Sequence, residues 1–297
     1  MSEVASMLLA RSRLGCEWRA FVELWWWPLI VALLPYRSGL AVARFVSRRL
    51  PLYDEAARMG LAAYRSVAAC ADERTWLADF RFSKLIDHAD LFWAVTRSES
   101  FLLKQLAPSS QALPAQSLLV ISFHYGQGLW LMRWLRAQGV RPRFLSVPSV
   151  RAGADSTLMF LYGRLRIRVV ERLAGVAPIF LGGARRSIRD ALAAGETVYG
   201  LVDVPVKRVA GETANAKLFG HAVRLPTGLL DSARGAHVKV AVLTSRLAAT
   251  GRRAIDLEIF EDADALSINT LVASLERRID EDAPAWHFWN LWNAFRA

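Results

Sequence analysis

The sequence predicts an α/β protein with a central mixed, mainly parallel sheet flanked by helices and a helical N-terminal region that associates with a membrane. Three observations carry this. Residues 1–106 show helical periodicity with few strand-like alternations. From Ser117 onward, short β-branched apolar runs alternate with amphipathic helical stretches, the pattern of a sheet with helices on both faces. Near the N-terminus an uncharged, Trp-rich segment is followed by Arg37, Arg44, Arg48 and Arg49.

That segment, Leu24–Tyr36, is shorter than the roughly 20 residues of a spanning helix and is punctuated by Pro28 and Pro35. Triple Trp, then aliphatics, then Arg reads as an interfacial anchor over about residues 24–46; a buried core helix is the competing reading. Helices are expected over Tyr53–Arg65, Arg74–Ile86 and His88–Leu106, and Pro108-Ser109-Ser110 with Pro114 marks a connection. Residues 1–110 are therefore assigned to the helical region and 111–297 to the α/β core, the two forming one continuous folded unit.

Within the core, Leu118–Phe123 (LLVISF) is a buried-strand run leading through a glycine-containing turn to a helix over Leu129–Gln138, which Gly139 closes. Strand Arg143–Val147, helix Ser156–Arg168, a short strand at Ala177–Leu181 and helix Gly182–Ala194 follow. Thr197–Asp203 (TVYGLVD) is a further buried strand ending on an acid. Gly220–Leu225 leads to a helix at Thr227–Arg234, Val238–Ser245 and Ala254–Ile259 alternate as strands, and a terminal helix fills Ser267–Asp280.

Composition narrows the partners. Of 297 residues 54% are hydrophobic, and 38 Lys+Arg against 27 Asp+Glu give a net charge of +11. A basic chain suits an anionic partner. The cations are mostly Arg, the better residue for bidentate phosphate contacts, and the 11 Trp suit a bilayer interface. No helix-turn-helix, zinc-finger or RNA-binding signature is present, so a nucleic-acid-binding protein is the minor alternative. Cys16 and Cys70 imply neither a disulfide framework nor a zinc site. The opening Met1–Leu14 lacks a secretory pattern. No cofactor or metal is expected.

In such sheets ligands bind outside the carboxyl ends of the strands. His124 falls there, directly before Tyr125-Gly126-Gln127-Gly128. Gly126 and Gly128 permit close backbone approach, and the next helix offers unpaired N–H donors to an oxyanion or phosphate. A histidine in this place is either functional or a satisfied structural residue.

The stretch ISFHYGQGLW resembles the central motif of the late (lauroyl- and myristoyl-type) acyltransferases of lipid A biosynthesis, within the lysophospholipid acyltransferase superfamily: a strand, then His-aromatic-Gly-Asn-Trp, then an acid five positions after the His. Further segments follow in that family's order. They are Leu201-Val202-Asp203, then Lys217-Leu218-Phe219-Gly220, Leu225-Pro226-Thr227-Gly228 and Gly235-Ala236-His237-Val238, and finally Ala283-Pro284-Ala285-Trp286-His287-Phe288-Trp289. The resemblance covers nearly the whole chain. It implies an O-acyltransferase at the cytoplasmic face of a bacterial inner membrane, moving a fatty acyl group from acyl carrier protein or coenzyme A to a hydroxyl of a lipid or glycolipid. His124 is then the general base, Tyr125, Gly126, Gln127 and Gly128 line the substrate site, and the Gln127–Gly128 backbone steadies an oxyanion.

The departures define the question. The position of the family's acid is Leu129, which cannot accept an imidazole N–H. Asp203 is the candidate replacement, unless it serves a structural or acceptor-positioning role. The closing segment reads Asn290-Leu291-Trp292-Asn293 in place of the family's His-Arg-Arg. Arg164 and Arg166 are candidate phosphate contacts or a solvated face. Lys217, Phe219 and Gly220 form a candidate phosphate-holding turn or an ordinary loop. Thr227 is a helix cap or a site hydroxyl, and Trp130 and Trp134 are core or an acyl-chain wall. The alternative to an active enzyme is a catalytically degenerate member of the fold that binds lipid or partner enzymes.

Overall fold

A computed structural model describes residues 13–108, 112–114, 117–147, 156–206 and 211–296. Most of the opening Met1–Leu14 and the Ser109-Ser110 connection lie outside the described residues.

Helix α1 (Arg13–Ala20) continues through a π-helical segment, Phe21–Trp26, into α2 (Trp27–Leu33). The wider π turn shifts the register of the side chains. Trp25 turns inward, donating its indole N–H to the Leu158 carbonyl at 3.1 Å, while Trp18 and Trp26 stay exposed with Phe21 between them. The helix stops at Leu34, whose ψ of 158° is the extended conformation favoured before proline. Pro35 then starts α3 (Tyr36–Arg49), which folds back on α2. A Cβ on Gly39 would lie 2.4 Å from the Val31 carbonyl oxygen, so the two helices cross at backbone contact.

The expected anchor is thus two helices rather than one segment. Its Val31, Ala32, Tyr36, Leu40, Ala43 and Val46 are buried in the core, leaving Trp26, Leu33 and Phe45 exposed. Among the described residues, no helix is long and apolar enough to cross a membrane.

After α4 (Asp54–Arg65), α5 runs unbroken over Glu73–Thr96 and a short α6 (Glu99–Leu103) follows. Two helices divided near Asp87 were expected. No Gly or Pro interrupts this stretch, and Asp87 points its carboxylate at Arg166 instead of competing for backbone groups. Asp72 caps α5 by accepting from Thr75 N.

The core is a six-stranded sheet in the order β3-β2-β4-β1-β7-β8. In chain order its elements, with the helices between them, are β1 (Leu118–Ser122), α7 (Gly128–Ala137), β2 (Arg143–Ser146), α8 (Thr157–Ala174), β3 (Ile179–Phe180), α9 (Ala184–Ala193) and β4 (Val198–Leu201). After a hairpin come α10 (Gly228–Ala236), β7 (Lys239–Leu247), β8 (Arg253–Phe260) and α11 (Ile268–Glu281). β1 lies centrally, parallel to β4 and β7, and only the edge strand β8 is antiparallel. The period-2 geometry of β1 divides the interior: Leu119 and Ile121 enter one apolar cluster, Leu118 and Val120 the other. The N-terminal helices supply residues to both, with Ala57, Leu61 and Phe80 in the first and Tyr36, Leu85 and Phe92 in the second.

The hairpin, β5 (Thr213–Leu218) and β6 (His221–Pro226), forms a separate two-stranded sheet. Only its second strand region was noted from sequence. Phe219 and Gly220, at φ 51° and 74°, make its two-residue turn, the backbone conformation that matches strand twist.

Candidate functional site

β1 ends at Ser122, and two residues later the chain enters the cavity-lining turn at His124. β4 is the hydrogen-bonded neighbour of β1, and Val202 N still donates to Ser122 O at 3.2 Å beyond the strand. That parallel pairing carries Asp203 to His124. The His124 backbone N–H donates to both carboxylate oxygens, at 2.9 and 2.8 Å, and its ring Nδ1 lies 2.9 Å from Asp203 Oδ1. Asp203 is fully buried, and its Oδ2 also accepts the indole N–H of Trp286 at 2.9 Å. A buried carboxylate needs such donors, and here they fix its orientation. With Nδ1 held, Nε2 is the ring nitrogen left for a substrate.

The turn after His124 is clamped from two more sides. Gly126 has φ 62°, and a Cβ there would sit 1.7 Å from the Ser245 carbonyl oxygen, so both conformation and space demand glycine. Ser245 Oγ accepts from Gln127 N at 3.1 Å and donates to Gln127 O at 2.7 Å. The C-terminal segment pairs with the same turn: Gly126 N donates to Ala285 O at 3.0 Å and His287 N to His124 O at 2.8 Å. His287 Nε2 contacts Gly126 O at 2.6 Å, and Phe288 stacks on the His124 ring with centroids 3.8 Å apart.

His124 opens onto a cavity of about 520 Å³. Much of its lining is apolar, with Leu129, Met132, Phe144, Val170, Tyr199 and Leu201 all in or packed against one apolar cluster. A polar wall comes from two helices. Lys84, Asp87 and His88 share one face of α5 by their i, i+3, i+4 spacing, and Tyr162 and Arg166 face them from α8. Arg166 donates to Asp87 Oδ1 at 3.0 Å and to the Tyr162 hydroxyl at 3.3 Å, and that hydroxyl lies 2.7 Å from His88 Nδ1.

Burial sets the protonation of this wall. It lowers Lys84 to about 8, against the pull of Asp87. It lowers His88 to about 3, and with the adjacent Lys84 charge it brings His287 to about 3 as well. It raises the Tyr162 hydroxyl to about 12. Burial alone would raise Asp87 too, but Arg166 holds it below the ordinary carboxylate range. His287 is thus neutral and bears its proton on Nε2, toward the carbonyl of Gly126.

The structure brings His124, Asp203, Tyr125, Gly126, Gly128 and Arg166 together. Gln127 departs from expectation: its side chain is buried away from the cavity lining and its N–H is taken by Ser245, which leaves Gly128 and Leu129, the first residues of α7, on the cavity wall with N–H groups that the helix itself does not use. Arg164 is exposed over the Phe160 ring. Lys217, Phe219, Gly220 and Thr227 belong to the hairpin and the start of α10, outside the cavity lining. Phe219 stacks on Trp289, and Thr227 gives its hydroxyl to Asp231 at 2.7 Å. Leu129 is 2% exposed, part of the core and of the apolar cavity wall.

Sequence reasoning missed Lys84, Asp87, His88 and Tyr162 and gave no role to Trp286. The i, i+3, i+4 spacing Lys84-x-x-Asp87-His88, which puts three titratable groups on one helix face, was the available signal. Among the described residues no group of His, Cys, Asp or Glu could hold a metal ion. No known family model matches the chain, and no curated protein sequence matches it.

Proposed function

We propose that the protein is an O-acyltransferase that moves a fatty acyl group from an acyl thioester, carried by acyl carrier protein or coenzyme A, to a hydroxyl of a lipid or glycolipid at the cytoplasmic face of a bacterial inner membrane. The observation that carries the reading is the 2.9 Å contact between His124 Nδ1 and Asp203 Oδ1 on the wall of a cavity whose lining is largely apolar. Leu129 removes the acid expected five residues after the histidine, and Asp203 supplies one from the neighbouring strand end.

In the reaction, His124 Nε2 accepts the proton of the acceptor hydroxyl as its oxygen bonds to the thioester carbonyl carbon. The oxyanion of the tetrahedral intermediate takes hydrogen bonds from the N-terminus of α7 at Gly128. The intermediate collapses with cleavage of the C–S bond, and the departing sulfur takes the proton from the imidazolium, leaving ester and thiol. Asp203 keeps Nδ1 protonated and stabilises the transient imidazolium, as the orienting carboxylate does in hydrolase triads. The apolar lining accommodates the acyl chain.

Incubating the protein with a radiolabelled acyl-coenzyme A or acyl carrier protein and an inner-membrane lipid extract tests the reading. Label is expected in an ester-linked lipid with the native chain and not with His124→Ala. A catalytically silent lipid-binding protein would give no labelled ester with either chain while still binding the extract.

A further inference from the structure

The polar wall of the cavity holds a lysine with no carboxylate of its own. At neutral pH the facing sides of α5 and α8 carry Lys84 and Arg166 as cations and Asp87 as an anion, with His88, His287 and Tyr162 neutral, and Glu171 of α8 also lines the cavity. Arg166 is committed to Asp87. Lys84 makes no ion pair among the described residues; its ammonium donates only to the His287 carbonyl, at 3.1 Å, and so has N–H donors to spare. The hydrogen-bond chain supplies one more. Arg166 donates to the Tyr162 oxygen, the Tyr162 hydroxyl proton then goes to His88 Nδ1, and neutral His88 carries its own proton on Nε2.

We infer that Lys84 and His88, one turn apart on α5 and backed by the Arg166–Asp87 pair, form an anion subsite that takes a phosphate group of a substrate in the same cavity as His124. A phosphate fits because it offers several acceptor oxygens to the ammonium and the imidazole N–H, and its charge balances the lysine. The geometry changes the role suggested for Arg166: its charge is already spent on Asp87, so it orders the subsite and Lys84 supplies the attraction. The subsite deepens the acyltransferase reading, because either substrate can bring the phosphate: the acceptor's headgroup or the phosphopantetheine arm of the donor.

Binding, rather than turnover, tests this independently of catalysis. The His124→Ala chain is used throughout, so that failure of the transfer reaction leaves the result intact. Octyl phosphate measures the shared chemistry, and octyl glucoside, which fills the apolar part of the cavity without charge, reports whether each variant keeps a native cavity. Lys84→Gln retains a donor for the His287 carbonyl but removes the charge; it is expected to weaken octyl phosphate about 10- to 100-fold and leave octyl glucoside unchanged. Lys84→Arg restores the charge and recovers most of the affinity. The Lys84-dependent part of the affinity falls as pH rises through about 8, where the ammonium loses its proton.

Comparing an acyl-coenzyme A with the matching acyl-pantetheine, which lacks phosphate, then locates the source. A preference for the coenzyme A thioester that disappears in Lys84→Gln assigns the subsite to the donor, and a Lys84 effect confined to octyl phosphate assigns it to the acceptor. Equal octyl phosphate affinity in the Lys84→Gln and Lys84-containing chains, or equal loss of octyl phosphate and octyl glucoside in both Lys84 variants, overturns the inference.

Discussion

At the scale of single residues, the site rests on one fully buried carboxylate, that of Asp203. Asp203 accepts from His124 N, from the His124 ring and from Trp286 Nε1, so both oxygens are engaged, and no arginine or lysine pairs with them among the described residues. Leu129, in the position of the acid it replaces, is packed into the core. Restoring an acid there does not restore a dyad: Leu129→Glu is expected to bury an uncompensated carboxylate, cost about 3 kcal/mol or more and leave acyl transfer no faster, as thermal melts and a transfer assay would show together. His124 was legible because its signal is local, a strand followed by a glycine turn. Asp203 was legible as a strand end, but its contact depends on β4 lying beside β1, a property of sheet order and not of spacing.

His287 gives a residue-scale prediction with a definite sign. Its folded-state pKa, lowered to about 3, lies below the unfolded value, so the unfolded chain binds the extra proton first and stability falls as pH drops from about 6.5 toward 3. Gln at this position keeps an N–H for the Gly126 carbonyl without a titrating ring. Between pH 7 and 5, His287→Gln is expected to lose about 2 kcal/mol less stability than the native chain in urea titrations. Equal losses would mean the imidazole is already protonated in the folded state.

At the scale of elements, the site is a turn held by its neighbours. Gly126 makes this testable, because the left-handed backbone and the Ser245 carbonyl both exclude a side chain. Gly126→Ala is expected to cost about 3–4 kcal/mol and to disorder the His124 turn; a melting temperature close to native would show that the turn has another conformation. Glu17 plays a similar joining role at the start of α8. It accepts from Ser156 Oγ, Thr157 N and Leu158 N, at 2.7, 2.6 and 3.1 Å, and so caps α8 from the N-terminal helix.

The elements misread from sequence have physical reasons. Thr213–Leu218 reads TANAKL, whose Ala, Asn and Lys are weak strand formers, and it becomes a strand by pairing across the Phe219-Gly220 turn. α5, expected as two helices, runs unbroken because no Gly or Pro interrupts it. The spacing of Lys84, Asp87 and His88 puts them on one face, but that this face meets α8 is a long-range contact the spacing does not give.

At the scale of the whole molecule, exposed apolar groups collect along the first helices: Leu14, Trp18, Trp26 and Leu33, with Phe45 on α3 and Arg13, Arg37, Arg48 and Arg49 exposed on the same helices. This is an interfacial composition, and among the described residues no helix is long and apolar enough to cross a membrane. We propose that these helices meet a membrane surface, where the net charge of +11 would favour anionic lipid. A Trp18→Ser, Trp26→Ser double variant is expected to lose on the order of tenfold or more in partitioning onto phosphatidylglycerol vesicles while keeping its melting temperature, as co-sedimentation would read.

The dyad is the centre of the account, and turnover of Asp203→Asn tests it most directly. With a labelled acyl thioester at saturation, Asn at this position keeps the size of the side chain but removes the charge that orients and stabilises the His124 imidazolium. The expected result is a fall in kcat of about 10³- to 10⁴-fold in a chain that still binds the thioester. A kcat within a few-fold of native would contradict the account, and would return Asp203 to the role of a structural carboxylate beneath the turn.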